Sequence, residues 1–267
     1  MKVDVNNFLS HHIKNNIPTA IGKIGTSELS ILANYIISPN EIIPSIKELA
    51  EINAGIYPLT IDNLKRFYDL YIESLKCLNI APRWNISFNS LEKDILEKHT
   101  TSYDANLIDF EPQWFDKPWT KYLKDKTVLV ISPFNKSIQE QYKKRNLIWP
   151  NSLLPNFNLI TINHPHARQS TNFFDVLEQI KTEILKYDFD ICIIGTGGTS
   201  IPLTSYVRNM NKIAIHLGGA TQILFGIKGK RWDERIEYQR LYNEYWKRPD
   251  LIETPVHNKQ IEEGCYW

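Results

Sequence analysis

Five short runs of aliphatic and β-branched residues constrain the fold more than any other feature of this chain. They are Thr19–Lys23 (TAIGK), Thr127–Ser132 (TVLVIS), Leu159–Asn163 (LITIN), Asp190–Ile194 (DICII) and Lys212–His216 (KIAIH). Each is bounded by turn residues, the pattern of a strand buried on both faces. The last four alternate with helical patterns. Phe173, Val176, Leu177, Ile180 and Ile184 recur at helical spacing, and Ser200–Met210 follows Thr199, an N-cap candidate, with Pro202 tolerated in its first turn. Strands separated by single helices pair in parallel through right-handed crossovers. The expected fold class is therefore α/β, a Rossmann-like, mostly parallel sheet with flanking helices.

A helical insertion is expected after the first strand, over about residues 41–98. Thr60 can cap a helix whose apolar positions are Ile61, Leu64, Tyr68, Tyr71, Leu75 and Leu78, and helices over Pro44–Ile52 and Ser90–Lys98 fit beside it. No Gly/Ser/Pro-rich linker bounds this block, so residues 1–267 read as one domain. A last helix is predicted over Asp233–Trp246, with Tyr238, Leu241, Tyr242 and Tyr245 on one face. The closing Glu262–Trp267, unusually aromatic, is expected to dock back on the body.

Composition removes several classes. A chain of 267 residues buries enough surface to fold without staples. Lys plus Arg number 31 and Asp plus Glu 30, a net charge of +1, which argues against a nucleic-acid partner. Cys77, Cys192 and Cys265 are far apart and form no CxxC, so neither a disulfide scaffold nor a zinc site is expected. The start, MKVDVNNFLSHHIKNN, lacks the apolar core of a signal peptide, with His11-His12 on a solvated helix face. No apolar stretch approaches the length of a membrane span. A cytoplasmic location is expected, with peripheral attachment to a membrane left open.

Ligands of open α/β sheets bind beyond the carboxyl ends of the strands. All five ends carry Gly, Ser, Thr, Asn or His: Gly22-Lys23-Ile24-Gly25-Thr26-Ser27-Glu28, Ser132-Pro133-Phe134-Asn135, Asn163-His164-Pro165-His166, Gly195-Thr196-Gly197-Gly198-Thr199-Ser200 and Leu217-Gly218-Gly219. Glycines before a helix N-terminus suit an anion, although such a turn is as often purely structural. The GTGGTS segment is neither a dinucleotide fingerprint nor a P-loop, and GxSxG is absent. At the first strand Lys23 can neutralise a diphosphate. Glu28 can ligate a hard cation or act as a base, or simply favour the start of its helix. His216 points toward the same crevice or is a satisfied structural histidine; His164 and His166 read as loop residues near the site. In Gln222–Asp233, Lys228, Lys230, Arg231 and Trp232 can hold a phosphate and a ring, or form an exposed basic loop anchored by the Trp.

At these residues the chain resembles the GT-D type of bacterial glycosyltransferase, a Rossmann-like nucleotide-sugar enzyme. Ile21–Glu28 (IGKIGTSE) is similar to that type's RFGDGE-like turn, CIIGTGGTSIPL to its late Gly-rich turn, and AIHLGG to its "aiDiGh" strand. Two acidic positions differ: Thr26 and His216 stand where the type has Asp. The resemblance implies a nucleoside diphosphate sugar donor, UDP-linked, and a glycan acceptor, lipid-linked or protein-linked, in surface polysaccharide or glycoprotein synthesis. It implies Mn or Mg as cofactor, with Glu28 the one carboxylate carried over and metal dependence therefore open. Such a reaction needs a base, for which Glu28 and His216 are the catalytic candidates. The donor would be held by Gly22, Lys23, Gly25, Ser27, Ser132, Gly195, Thr196, Gly197, Gly198, Gly218, Gly219, Lys230 and Arg231, with Asn135 and Asn163 on sugar or ribose hydroxyls. The alternatives are a phosphoribosyl or phosphosugar transferase, and a non-catalytic nucleotide- or sugar-phosphate-binding protein.

Overall fold

The computed structural model describes residues 2–166 and 172–267. After helix α1 (Val5–Lys14) the chain enters strand β1 (Thr19–Ile21) and then helices α2 (Thr26–Ile37), α3 (Pro44–Leu49), α4 (Ile61–Leu75) and α5 (Asn89–His99). Strand β2 (Thr127–Ser132) is followed by α6 (Asn135–Lys143) and α7 (Arg145–Ile148), and β3 (Asn158–Asn163) by α8 (Phe173–Ile184). Then come β4 (Ile191–Ile194), α9 (Ser200–Asn209), β5 (Ile213–His216) and the short α10 (Ala220–Leu224), α11 (Lys230–Asp233) and α12 (Ile236–Gln239). The five strands form one sheet in the order β1-β5-β4-β2-β3, every pair parallel. This is the expected α/β, Rossmann-like architecture.

Alternation along the strands builds two cores. Val128, Val130, Ile191, Ile193, Ile213 and Ile215 face α1, α6 and the C-terminal segment. Leu129, Ile131, Cys192, Ile194 and Ala214 face α8 and α9. Ala20 of β1 and Ile201 of α9 share a third cluster with the insertion's Leu64, Phe67, Tyr71 and Leu75, so the helical block packs directly on the sheet. Its return segment closes the β1 edge. The Asn79 N–H donates to Ala20 O, and the Gly22 N–H turns away from the sheet to Ile80 O at 3.1 Å. β1 ends at Ile21, two residues before the end of the apolar run.

Thr60 caps α4 as expected, its Oγ1 accepting from the Asn63 N–H at 3.1 Å. Three expectations need correction. Pro44–Ile52 is α3 followed by a π turn, Ala50–Ala54, that ends at Gly55. Thr199 does not cap α9; its backbone is already helical and its hydroxyl bonds the His164 ring instead. No helix spans Asp233–Trp246. The Asn243 side chain donates to Leu147 O and Ile148 O and accepts from the Tyr245 N–H, and Lys247 bridges to Ile227 in parallel. Those bonds replace the helical ladder; Tyr238 lies in the short α12, whereas Tyr242 and Tyr245 lie outside any helix.

Candidate functional site

The chain passes from β2 outward to β3 and returns to lay β4 on the other side of β2, so strand order reverses between β2 and β4. Open sheets bind ligands at this point. A cavity of about 470 Å³ lies there. Ser132, Pro133 and Phe134 line it from the end of β2, Gly195, Thr196 and Gly197 from β4, and His216, Gly218 and Gly219 from β5. The turn after β1 adds Lys23, Gly25, Thr26, Ser27 and Glu28, and Arg231 comes from α11.

Gly25 is what allows Glu28 its position. A Cβ at Gly25 would lie 1.9 Å from Glu28 Oε2, so the carboxylate folds back over the glycine at the N-terminus of α2. Burial pushes the Glu28 carboxyl up to about 7, assisted by the negative charge of Glu262, while its own main-chain N–H and Lys23 oppose the shift. Lys23 lies beside it with Nζ 5.1 Å from the centroid of the Trp84 ring. Burial lowers the Lys23 pKa, while Glu111, Glu262 and Glu28 favour its charge. Gly218, at φ +59°, lets the β5 turn pass over Lys23; a Cβ there would meet its Cε at 3.4 Å.

The three histidines around the cavity are held neutral at physiological pH. Burial and the Lys23 charge lower His216 to about 3, and its Nδ1 lies 3.3 Å from Ile194 O. His164 bonds Pro165 O and Thr199 Oγ1 and is lowered by burial to about 4. His166, packed against Phe134 and Trp267, is lowered to about 4 for the same reason.

Of the residues singled out from sequence, Lys23, Gly25, Ser27, Glu28, Ser132, Gly195, Thr196, Gly197, His216, Gly218, Gly219 and Arg231 line this cavity. Gly22, Asn135, Asn163, Gly198 and Lys230 are not among its lining residues. Gly22 is pressed against Ile201 and His216. Gly198 abuts Ala54 O, where it seats the insertion on the β4 turn. Asn163 ends the edge strand β3 and is exposed, as is Lys230. Asn135 opens α6, whose first amides are taken by Glu253: the Lys136 N–H donates to its Oε1 at 2.7 Å. The GTGGTS turn is partly self-satisfied, since the Thr196 N–H donates to Ser200 Oγ at 3.0 Å.

Residues that strand-end reasoning misses complete the wall. Trp84 comes from the insertion, its Nε1 donating to Ile24 O at 2.8 Å. Glu111 accepts from Tyr238 Oη at 2.8 Å. Arg235, Tyr238, Glu262, Tyr266 and Trp267 also face the cavity. The aromatic end of the chain docks as expected: the Arg231 N–H donates to Cys265 O and the Gln222 amide to Tyr266 O, both at 2.9 Å. Trp232 is buried against Gly219 and Gly229, so it both anchors the basic segment and lines the cavity.

Among the described residues no three His, Cys, Asp or Glu side chains gather as a metal-ligand group. Of the three carboxylates in the lining, Glu111 accepts from Tyr238 Oη and Glu262 pairs with Arg231, which leaves Glu28 as the carboxylate that would hold a divalent cation, a sparse donor set for one. Among the described residues no helix is long and apolar enough to cross a membrane.

No family model matches the chain, and no curated protein matches it. Two solved structures align along nearly its whole length. One, described as a new glycosyltransferase of domain-of-unknown-function class 1792 from Streptococcus sanguinis, shares 14% identity at a TM-score of 0.46, over 96% of each chain. The other, a selenomethionine-substituted domain of unknown function 1792, shares 11% identity at a TM-score of 0.42, over 95% of this chain and 98% of that one. Likeness at this level assigns no chemistry to the cavity, which stands on its own geometry.

Proposed function

We propose that the chain is a glycosyltransferase that takes a sugar from a nucleoside diphosphate, UDP-linked, and passes it to a glycan acceptor, lipid-linked or protein-linked. The observation that carries the reading is the joint placement of Lys23 and Glu28 in the cavity at the strand-order reversal. Transfer needs a cation for the departing diphosphate and a base for the acceptor hydroxyl. Lys23, with Arg231 and Arg235 on the same wall, supplies the first. Glu28 supplies the second: a carboxyl poised at about 7 takes the hydroxyl proton as the new C1–O bond forms and the sugar–phosphate bond breaks. His216, held neutral with a pKa near 3, is the weaker base and serves as a hydrogen-bonding wall.

With Thr26 and His216 at the positions where the resembled type has Asp, Lys23 and the arginines offset the leaving-group charge, and a divalent cation, if bound, would be held by Glu28. The rings of Trp84, Trp232 and Tyr238 around the cavity favour a nucleotide and sugar over a bare phosphosugar. The surroundings would be cytoplasmic, in surface polysaccharide or glycoprotein synthesis.

The test is melting of the purified protein with UDP, GDP, CMP and PRPP, with and without Mn²⁺ or Mg²⁺, followed by turnover of UDP-sugars. Saturating UDP should raise the melting temperature by several degrees, from roughly 2.7 kcal/mol at 100 times the dissociation constant. Glu28→Gln should keep that shift and lose roughly 100-fold or more in turnover. A shift with PRPP alone would move the reading to the phosphosugar class. Binding without turnover would leave a non-catalytic binding protein, and no shift with any nucleotide would remove the donor site.

A further inference from the structure

The carboxylate of Glu262 sits where a ligand's negative charge would go. Its Oε2 forms an ion pair with Arg231, and its Oε1 accepts from Tyr266 Oη at 3.0 Å. The Arg231 guanidinium lies 4.9 Å from the centroid of that same Tyr266 ring. All three residues line the cavity. The charge of Glu262 also reaches the Lys23–Glu28 pair, favouring the ammonium of one and opposing ionisation of the other.

The strap that carries Glu262 is held at some cost. Glu262 and Glu263 both have left-handed backbones, at φ +44° and +58°, which non-glycine residues rarely adopt. The Glu262 N–H is tied across to Asn53 Oδ1 of the insertion at 3.0 Å. Next to the strap, where the Gln222 amide donates to Tyr266 O, Thr221 Oγ1 and Gln222 Oε1 are buried with no hydrogen-bond partner among the described residues, although both residues line the cavity. The closed strap thus leaves hydrogen-bonding capacity unused that a hydroxyl-bearing ligand would satisfy.

We propose that Glu262 competes with the ligand's phosphate for Arg231 and thereby sets how tightly the site takes an anion. An incoming diphosphate replaces the carboxylate on the guanidinium, and residues 261–267 lift away from Thr221 and Gln222. This deepens the donor-site reading and rests on it, yet it requires only anion binding, not transfer.

The experiment titrates inorganic pyrophosphate calorimetrically into the wild type, Glu262→Gln, Glu263→Gln and Arg231→Gln. Removing the competing carboxylate should tighten pyrophosphate binding roughly tenfold, the equivalent of one charge-assisted hydrogen bond. Glu263→Gln, which removes the same charge from an exposed neighbour, should behave as wild type. Arg231→Gln should lose binding. Hydrogen exchange should quicken at residues 261–267 and at the Arg231 N–H when pyrophosphate is added. If Glu262→Gln melts too low to use, Asn53→Ala loosens the strap without touching the ion pair and should also tighten binding.

Equal or weaker binding in folded Glu262→Gln, or no binding in wild type and variant alike, overturns the proposal. Tighter pyrophosphate binding without turnover of any nucleotide sugar would leave it standing while the transferase reading falls.

Discussion

Gly25 and Glu28 make the site's chemistry depend on a missing methyl group. In Gly25→Ala the new Cβ lands 1.9 Å from Glu28 Oε2, and because that atom is the end of a flexible side chain, the carboxylate leaves and the fold stays. Melting should change by no more than a few degrees, while turnover should fall to the level of Glu28→Gln, roughly 100-fold or more. Retained turnover would show that the folded-back position of Glu28 is not the working one. Lys23, Glu28 and Arg231 were legible in sequence because charged residues beside glycines at strand ends have few structural roles. Trp84, Glu111 and Tyr238 were not, since they reach the cavity from segments whose own sequence carries no signal. Glu111 and Tyr238 are bonded across 127 residues, a contact that no local pattern encodes.

Strands were the most readable elements because their apolar runs are buried, nearly throughout in all but the half-buried edge strand β3. Their observed ends differ from the apolar runs by at most two residues. The helix expected over Asp233–Trp246 failed: its aromatic periodicity is real, but Asn243 and Lys247 direct the backbone to bonds with the α6–α7 region and Ile227. Glu253 illustrates an element interaction with no sequence signature. Its buried carboxylate accepts from the Lys136 and Ser137 N–H groups and from Ser137 Oγ, so it closes the N-terminus of α6, while its main-chain oxygen accepts from Trp267 Nε1 at 3.1 Å. Glu253→Ala leaves those donors unpaired and should cost about 2–3 kcal/mol. That corresponds to a fall of roughly 5–10 °C in melting temperature. An unchanged melt would mean that solvent replaces the carboxylate at no cost.

At the scale of the whole molecule, burial of the site makes stability depend on pH. His164 and His216 have folded pKa values of about 4 and 3, below the ordinary 6.5. As pH falls below 6.5 the unfolded chain takes protons that the fold refuses, so their contribution is complete above 6.5 and is lost on acidification. Glu28 acts oppositely. Raised from 4.5 to about 7, it keeps a proton that the unfolded chain gives up, a contribution complete below 4.5 and lost as pH rises through 7. Between pH 7 and 5 each of the two histidines costs about 2 kcal/mol and Glu28 returns about 2 kcal/mol. The histidines win by about 2 kcal/mol, and His166, lowered in the same direction, adds to them. The melting temperature should therefore fall by roughly 5 °C or more from pH 7 to pH 5, and flatten when His164 and His216 are both replaced by Asn. We also propose that the helical insertion melts with the sheet as one domain, because Ala20 and Ile201 share its apolar cluster. Circular dichroism and tryptophan fluorescence should then trace one coincident transition at each pH. A flat pH response would mean that the buried histidines ionise freely in the fold, and two separated transitions would make the insertion an independent unit that only leans on the site.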